Sequence, residues 1–191
     1  MTLPLALDLA LLPSGLVGNG PPLMKRLEML DGERIPGLAI FAPTPDPTLA
    51  QHAGGRLVAR LPSEAEIAAL RVLFVAGLPM KESAGLAALA RDHRVLVNVE
   101  DSVPLCDFHV PAILRRGDLA ISVSTGGRSP TLSRRLRAHL ERLLPEIWGE
   151  RLERAAHLRE RMRAQGAGSA EIMKAVDALI DSENWLSRDG D

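Results

Sequence analysis

The residues best suited to chemistry fall in three short stretches. In the first, Val97-Asn98-Val99 reads as a strand that closes at Glu100-Asp101, followed by Leu105-Cys106-Asp107-Phe108-His109-Val110-Pro111-Ala112. Open α/β sheets bind their ligands at the carboxyl ends of their strands, so Asp101 is placed to act as a general base or to orient a proton in transit. The competing reading is structural, with Asp101 and Ser102 capping a turn. In the second stretch, Ser122-Val123-Ser124-Thr125-Gly126-Gly127-Arg128-Ser129-Pro130 joins a strand to a helix. The start of that helix carries free N–H groups and partial positive charge, which suits a carboxylate or phosphate and equally describes a capped turn without ligand. The third stretch is Gly18-Asn19-Gly20, a turn whose glycines would let backbone approach a pyrophosphate resting on the following helix. There the three-glycine fingerprint breaks: Leu23 stands at the third small position, and Pro21 and Pro22 each remove an N–H. An ordinary βα turn is the alternative.

Weaker signals accompany these. The second predicted strand ends at Ala42-Pro43 instead of an acid that would grip a ribose hydroxyl, and the nearest acid is Asp46. Cys106 and His109, with Asp107 between them, are metal-ligand types, but their spacing matches no closed metal site and no metal ligand is assigned. Arg115, Arg116, Arg128, Arg134, Arg135, Arg137 and Arg142 crowd one stretch, which answers either a polyanionic small molecule or a solvated helix face.

The elements that must position these residues alternate between short apolar runs and amphipathic helical tracts, the pattern of an α/β domain with a largely parallel sheet. Strands are expected at 15–17, 37–42, 57–61, 72–76 and 95–99. The second should stop at Pro43, Pro45 and Pro47. Helices are expected where Leu23, Leu27 and Leu30 recur at helical spacing, from the capping-box pair Ser63 and Glu66 through Leu70, and over 82–92. A further strand at 119–124 leads to a helix with Ser129 as N-cap and Pro130 at its first position. Its stripe of Leu132, Leu136, Leu140 and Leu143 marks core or a subunit contact. Two more helices, over 150–163 and from Ser169 to about Leu186, finish the chain, the last packing through Ile172, Val176, Leu179 and Ile180.

Composition narrows the function classes. The chain has 191 residues, 46% of them hydrophobic, enough for one core with a small appended module. With 23 Lys and Arg against 24 Asp and Glu, no nucleic-acid partner is expected, and the absence of Tyr leaves few platforms for stacking bases. No apolar run spans a bilayer, and the apolar start lacks a basic leader region, so no membrane association is expected. The lone Cys106 fits a reducing compartment, and a cytoplasmic location is expected.

Taken together, Val97-Asn98-Val99-Glu100-Asp101, Cys106-Asp107-Phe108 through Pro111-Ala112-Ile113, Arg115-Arg116-Gly117 and Ser124-Thr125-Gly126-Gly127 with Ser129-Pro130 fall in the order and spacing of one family. The chain resembles the module that ends siroheme biosynthesis, the precorrin-2 dehydrogenases and sirohydrochlorin ferrochelatases found alone or fused to a methyltransferase. Leu3-Pro4-Leu5, Leu7-Asp8-Leu9 and Ile40-Phe41-Ala42-Pro43 extend a fainter likeness to the N-terminus. The resemblance implies a Rossmann-like parallel-sheet domain (1–112), a dimerisation strand-helix region (113–148) and a small C-terminal helical segment (149–191). It implies NAD-dependent oxidation of precorrin-2 to sirohydrochlorin by a homodimer, with insertion of ferrous iron in bifunctional members. Asp101 then takes the acid/base role. Gly18, Asn19, Gly20, Ala42 and Pro43 face the nucleotide. Ser124, Thr125, Gly126, Gly127, Arg128 and Arg134 face a tetrapyrrole held between the Asp101 strand end and the Gly126-Gly127 turn, the guanidinium forks answering its carboxylates. The departures from the family all lie in the nucleotide half, at Gly18 to Leu23 and at Ala76-Gly77-Leu78-Pro79-Met80. A chelatase-only or non-catalytic tetrapyrrole-binding protein is therefore the alternative.

Overall fold

Short apolar runs, each flanked by proline, glycine or a charged residue, build the sheet of the first unit. The computed structural model describes residues 3–33 and 35–186, and the chain divides into two units between Val110 and Pro111. In the first unit, β1 (Ser14–Gly18), β2 (Ala39–Phe41), β3 (Leu57–Val58), β4 (Val72–Ala76) and β5 (Leu96–Val99) form a five-stranded sheet in the order β3-β2-β1-β4-β5. Every pairing is parallel. Helices α1 (Gly20–Gly32), α2 (Pro47–Ala53), α3 (Glu64–Ala68) and α4 (Met80–Asp92) connect the strands. Alternation splits the core between the two faces of the sheet. Leu16 and Phe74 join Leu23, Leu27, Leu30 and Leu49 on the α1–α2 side. Val17, Leu73 and Val75 join Ile67, Leu86, Ala87 and Ala90 on the α3–α4 side. Burying each of these larger side chains contributes about 1.5–3 kcal/mol. A parallel sheet covered on both faces in this strand order is the Rossmann-type arrangement.

Two elements depart from the sequence-based expectation for local reasons. The prolines after β2 do not merely stop a strand: Pro47 opens α2, and Asp46 caps it by accepting from the Leu49 N–H at 2.8 Å. β3 ends two residues in, because the Arg60 N–H turns back to Val58 O and the chain enters the capping box of Ser63 and Glu66.

The second unit opens with a strand the sequence reading did not foresee, β6 (Ala112–Arg116), paired antiparallel to β7 (Leu119–Val123). Gly117 at φ +57 makes the two-residue hairpin turn with Asp118. Helices α5 (Pro130–Leu143), α6 (Ile147–Ala164) and α7 (Ser169–Ser182) follow. The last stops four residues short of the expected end in a Schellman cap: Asn184 adopts φ +52, its N–H donates to Asp181 O, and the Trp185 N–H donates to Ile180 O. Buried Arg116 donates to Leu144 O and Glu141 O, the orphan carbonyls at the end of α5, which makes it a structural member of the arginine cluster. Leu132, Leu136 and Leu143 of the α5 stripe are exposed. Among the described residues, no helix is long and apolar enough to cross a membrane.

Candidate functional site

The five parallel strands deliver their carboxyl ends to one edge, and strand order reverses between β1 and β4, the switch point where such sheets hold ligands. Gly18 lies so close to β4 that an added Cβ would stand 1.7 Å from Ala76 O. The Asn19 N–H donates to that same oxygen at 3.2 Å. Gly77 has φ +70, and a Cβ there would stand 2.1 Å from Asn19 O. The glycine at 77, a departure from the family pattern, is thus required by the seating of the β1 turn against the β4 turn, a need that sequence alone did not signal. The Asn19 side chain accepts from the Thr44 N–H at 3.1 Å, which ties the Gly18-Asn19-Gly20 turn to the Ala42-Pro43 end of β2. The structure therefore gathers at one place the residues expected to face the nucleotide.

Whether a dinucleotide fits there turns on donors and space. A helix start leaves four N–H groups unpaired by the helix itself. In α1 the Asn19 group is taken by Ala76 O, and Pro21 and Pro22 have none. Among the described residues the Gly20 N–H alone remains for a phosphate. Gly20 has φ +64, and a Cβ on it would approach nothing nearer than Pro22 Cδ at 4.0 Å, so backbone and ligand can meet on that side. At the end of β2, Asp46 is committed to capping α2 and Ala42 is buried, so no carboxylate there grips a ribose. The residues fit a dinucleotide in shape and offer it a single helix-start donor.

The β5 end is built differently. β5 is an edge strand, and the segment after it folds back to satisfy its free side. The Asp107 N–H donates to Val97 O at 2.8 Å, and Asp107 Oδ2 accepts from the Val97 N–H at 3.1 Å. The Cys106 Sγ accepts from the Val99 N–H and lies within donating distance of Val99 O and Ser102 O, at 3.1 and 3.2 Å. Asn98 Nδ2 donates to Phe108 O at 2.9 Å, and Arg91 holds the outer face of Asp107 at 2.8 Å. The thiol and carboxylate considered as metal ligands are thus engaged with β5 itself. At the tip of this clasp stands Asp101, exposed and at φ +58, a left-handed conformation uncommon outside glycine though tolerated by Asp.

Beneath Asp101 lie two residues that the sequence reading passed over as sites. Arg26 of α1 is buried to 12% side-chain exposure, its guanidinium 5.9 Å from the Phe74 ring centre and 3.9 Å from Glu100 Oε1. Burial pushes the Arg26 guanidinium below its usual pKa, opposed chiefly by Glu100, with a smaller contribution from Asp101. Glu100 Oε2 is buried and, among the described residues, has no hydrogen-bond partner. A signal existed: Arg26 falls inside the Leu23, Leu27, Leu30 stripe, where a cation must have a reason to be.

The second unit holds the other candidate turn. Gly126 and Gly127 have φ +61 and +76. Thr125 Oγ1 accepts from the Ser129 N–H at 3.1 Å and from Ser133 Oγ at 3.2 Å, Ser124 Oγ accepts from the Gly126 N–H, and Ser129 Oγ caps α5 at the Leu132 N–H. The turn is self-capped, and Arg128 and Arg134 are exposed.

Strand order and carboxyl edge define a Rossmann-type α/β unit with a dinucleotide switch point, followed by a hairpin-and-helix unit. Residues 5–112 match a family model described as "Putative NAD(P)-binding", and residues 116–143 match "Sirohaem biosynthesis protein central". The siroheme synthase of Methylococcus capsulatus is 36% identical over 84% of this chain and 34% of its own length, and that of Methylobacillus flagellatus is 32% identical over 85% and 35%. A solved structure of SirC, precorrin-2 dehydrogenase, has a TM-score of 0.75 at 21% identity, covering 98% of this chain and 93% of that one, which shows a common fold. The chain belongs to the putative NAD(P)-binding family, and it spans about a third of the length of the siroheme synthases to which it is similar.

Proposed function

We propose that this chain oxidises precorrin-2 to sirohydrochlorin with NAD, and that the same site then serves the insertion of ferrous iron. The observation that carries this reading is Asp101, an acid held in left-handed geometry at the carboxyl end of β5 by a dedicated clasp, on a sheet whose switch point is lined by Gly18, Gly20 and Gly77. NAD, when bound, accepts a hydride. Loss of hydride from a reduced tetrapyrrole must be matched by loss of a proton, and metallation releases protons from pyrrole nitrogen; the exposed Asp101 carboxylate is positioned to take them. The Gly20 N–H would hold a phosphate, with Gly18, Asn19, Ala42 and Pro43 shaping the nucleotide side. Ser124, Thr125, Gly126 and Gly127 would receive the tetrapyrrole, with Arg128 and Arg134 pairing its carboxylates.

In this reading residues 113–148 form the dimerisation region and 149–191 the helical end. A homodimer is supported by the exposed Leu132, Leu136 and Leu143 of α5, which their own unit leaves uncovered. Leu136→Glu should turn a dimer into a monomer in sedimentation; an unchanged mass would remove α5 from the interface. The cytoplasm, the compartment proposed for the protein, accommodates the single free thiol of Cys106.

A second reading is favoured by Pro21 and Pro22, which strip the helix start of phosphate donors: a chelatase or tetrapyrrole-binding protein that no longer oxidises. Titration of the folded protein with NAD, followed by an anaerobic assay of precorrin-2 oxidation by absorbance, separates the two. Saturable binding with oxidation supports the dehydrogenase; absence of both, with sirohydrochlorin still bound, supports the second reading.

A further inference from the structure

We propose that Arg26 is a positioning residue for Asp101: buried against Phe74 and facing the Glu100 carboxylate, it holds the turn that presents Asp101 at the edge of the sheet. The inference rests on the reading of Asp101 as the acid/base group and adds to it a residue on a different element.

Asp101 is exposed and adopts φ +58, so neither burial nor intrinsic preference fixes its backbone. Three contacts close around it. The Glu100 N–H donates to Val75 O at 2.9 Å, the Ser102 N–H donates to Val99 O at 3.3 Å, and the Cys106 thiol reaches Ser102 O at 3.2 Å. These secure the residues before and after Asp101 to β4 and β5. The remaining degree of freedom is the Glu100 side chain. It leaves the chain one residue before Asp101, and its carboxylate is largely withdrawn from solvent, with Oε2 fully buried. A carboxylate so placed is held in position by a cation that faces it. The Arg26 guanidinium lies 3.9 Å from it, and is itself held by its helix and by the Phe74 ring, which in turn meets Phe108 edge-on with centroids 5.5 Å apart. Phe108 belongs to the clasp, since its carbonyl accepts from Asn98 Nδ2. Arg26 thus touches, through Glu100 and through Phe74 and Phe108, both ends of the segment that carries Asp101. It stands on α1, the helix that begins at the Gly20 turn, so one rigid element carries the nucleotide-side donor and the support of the acid/base turn.

The test measures amide hydrogen exchange in the free protein together with steady-state kinetics for wild type, Arg26→Met and Arg26→Lys. Arg26→Met should speed exchange at the Ser102 amide by roughly tenfold or more while the Val17 and Val75 amides of the inner strands keep their protection. It should lower kcat with little change in KM, and Arg26→Lys should recover part of both. Uniform acceleration across the sheet would reduce Arg26 to a general stability residue and overturn the proposal, as would unchanged exchange at Ser102. If Arg26→Met does not fold, Glu100→Gln removes the partner charge at constant shape and is read at the same amide, with the same two outcomes. If wild type shows no oxidation, the reading of the active site fails, yet the exchange result still decides whether Arg26 holds the turn.

Discussion

The loops that end β1 and β5 lie on the same edge of one sheet and are built in opposite ways. After β1, the chain is short of backbone donors: two prolines follow Gly20, and the Asn19 N–H is spent on Ala76 O. After β5, the groups on the outer edge of the strand are satisfied by the clasp of Cys106 and Asp107, while the Asp101 carboxylate is left exposed outside it. The first loop keeps the glycine geometry of a nucleotide turn with little of its hydrogen bonding; the second keeps a carboxylate and the scaffold that aims it. A protein arranged in this way should depend strongly on Asp101 and weakly on any single contact to the nucleotide.

The largest effect that would break this contrast is at Asp101 itself. Asp101→Asn preserves the left-handed turn and should cost roughly 10²–10⁴-fold in kcat if the carboxylate moves the proton. Unchanged turnover would shift attention to the β1 side. Next in size, Gly18→Ala places a Cβ 1.7 Å from Ala76 O and must push β1 and β4 apart. A loss of about 3 kcal/mol or more, measured by urea denaturation, is expected. Cys106→Ala should unfasten the clasp at a cost of about 1–2 kcal/mol, with kcat falling more than nucleotide affinity. Pro21→Ala restores one N–H to the start of α1 and should tighten nucleotide binding by roughly fivefold in calorimetry, the value of about one net hydrogen bond. No gain would mean that phosphate does not rest on that helix.

The smallest effect serves as a control at the exposed ion pair that follows β3. Hydrogen bonds from Arg60, and then from the Ser63 backbone and hydroxyl, hold the Glu66 carboxyl down at about 2, from an ordinary 4.5. A lowered carboxyl pKa contributes stability above about pH 4.5 that is lost as pH falls toward about 2. Because the pair is exposed, the effect on the fold should be slight. Carboxyl NMR of Arg60→Met should show Glu66 returning toward 4.5, with kcat unchanged.

Much of this architecture is legible in the chain because it depends on local periodicity. Alternating apolar runs and the Leu23-Leu27-Leu30 stripe mark strands and helix without reference to distant residues, and Ser63-Glu66 and Ser129-Pro130 announce helix starts whose hydrogen bonds span only a few residues. The order of residues from Val97 to Pro130 was enough to point to the family. The helix at Pro47 was missed because the prolines around it were read only as breakers, although Asp46-Pro47 is a cap followed by a favoured first position.

What the sequence by itself determined, then, was most of the elements, though not α2 or β6, and the place of Asp101 as the carboxylate at a strand end, since both follow from spacing along the chain. Only the tertiary structure decided that Gly77 is demanded by Asn19 O, that Cys106 and Asp107 cover the edge of β5, and that Arg26 lies under Glu100. The reason is physical: these roles belong to pairs brought together by strand order, from 7 residues apart for Val99 and Cys106 to far longer for Arg26 and Glu100, and periodicity carries no record of which distant residue will come to lie beside which.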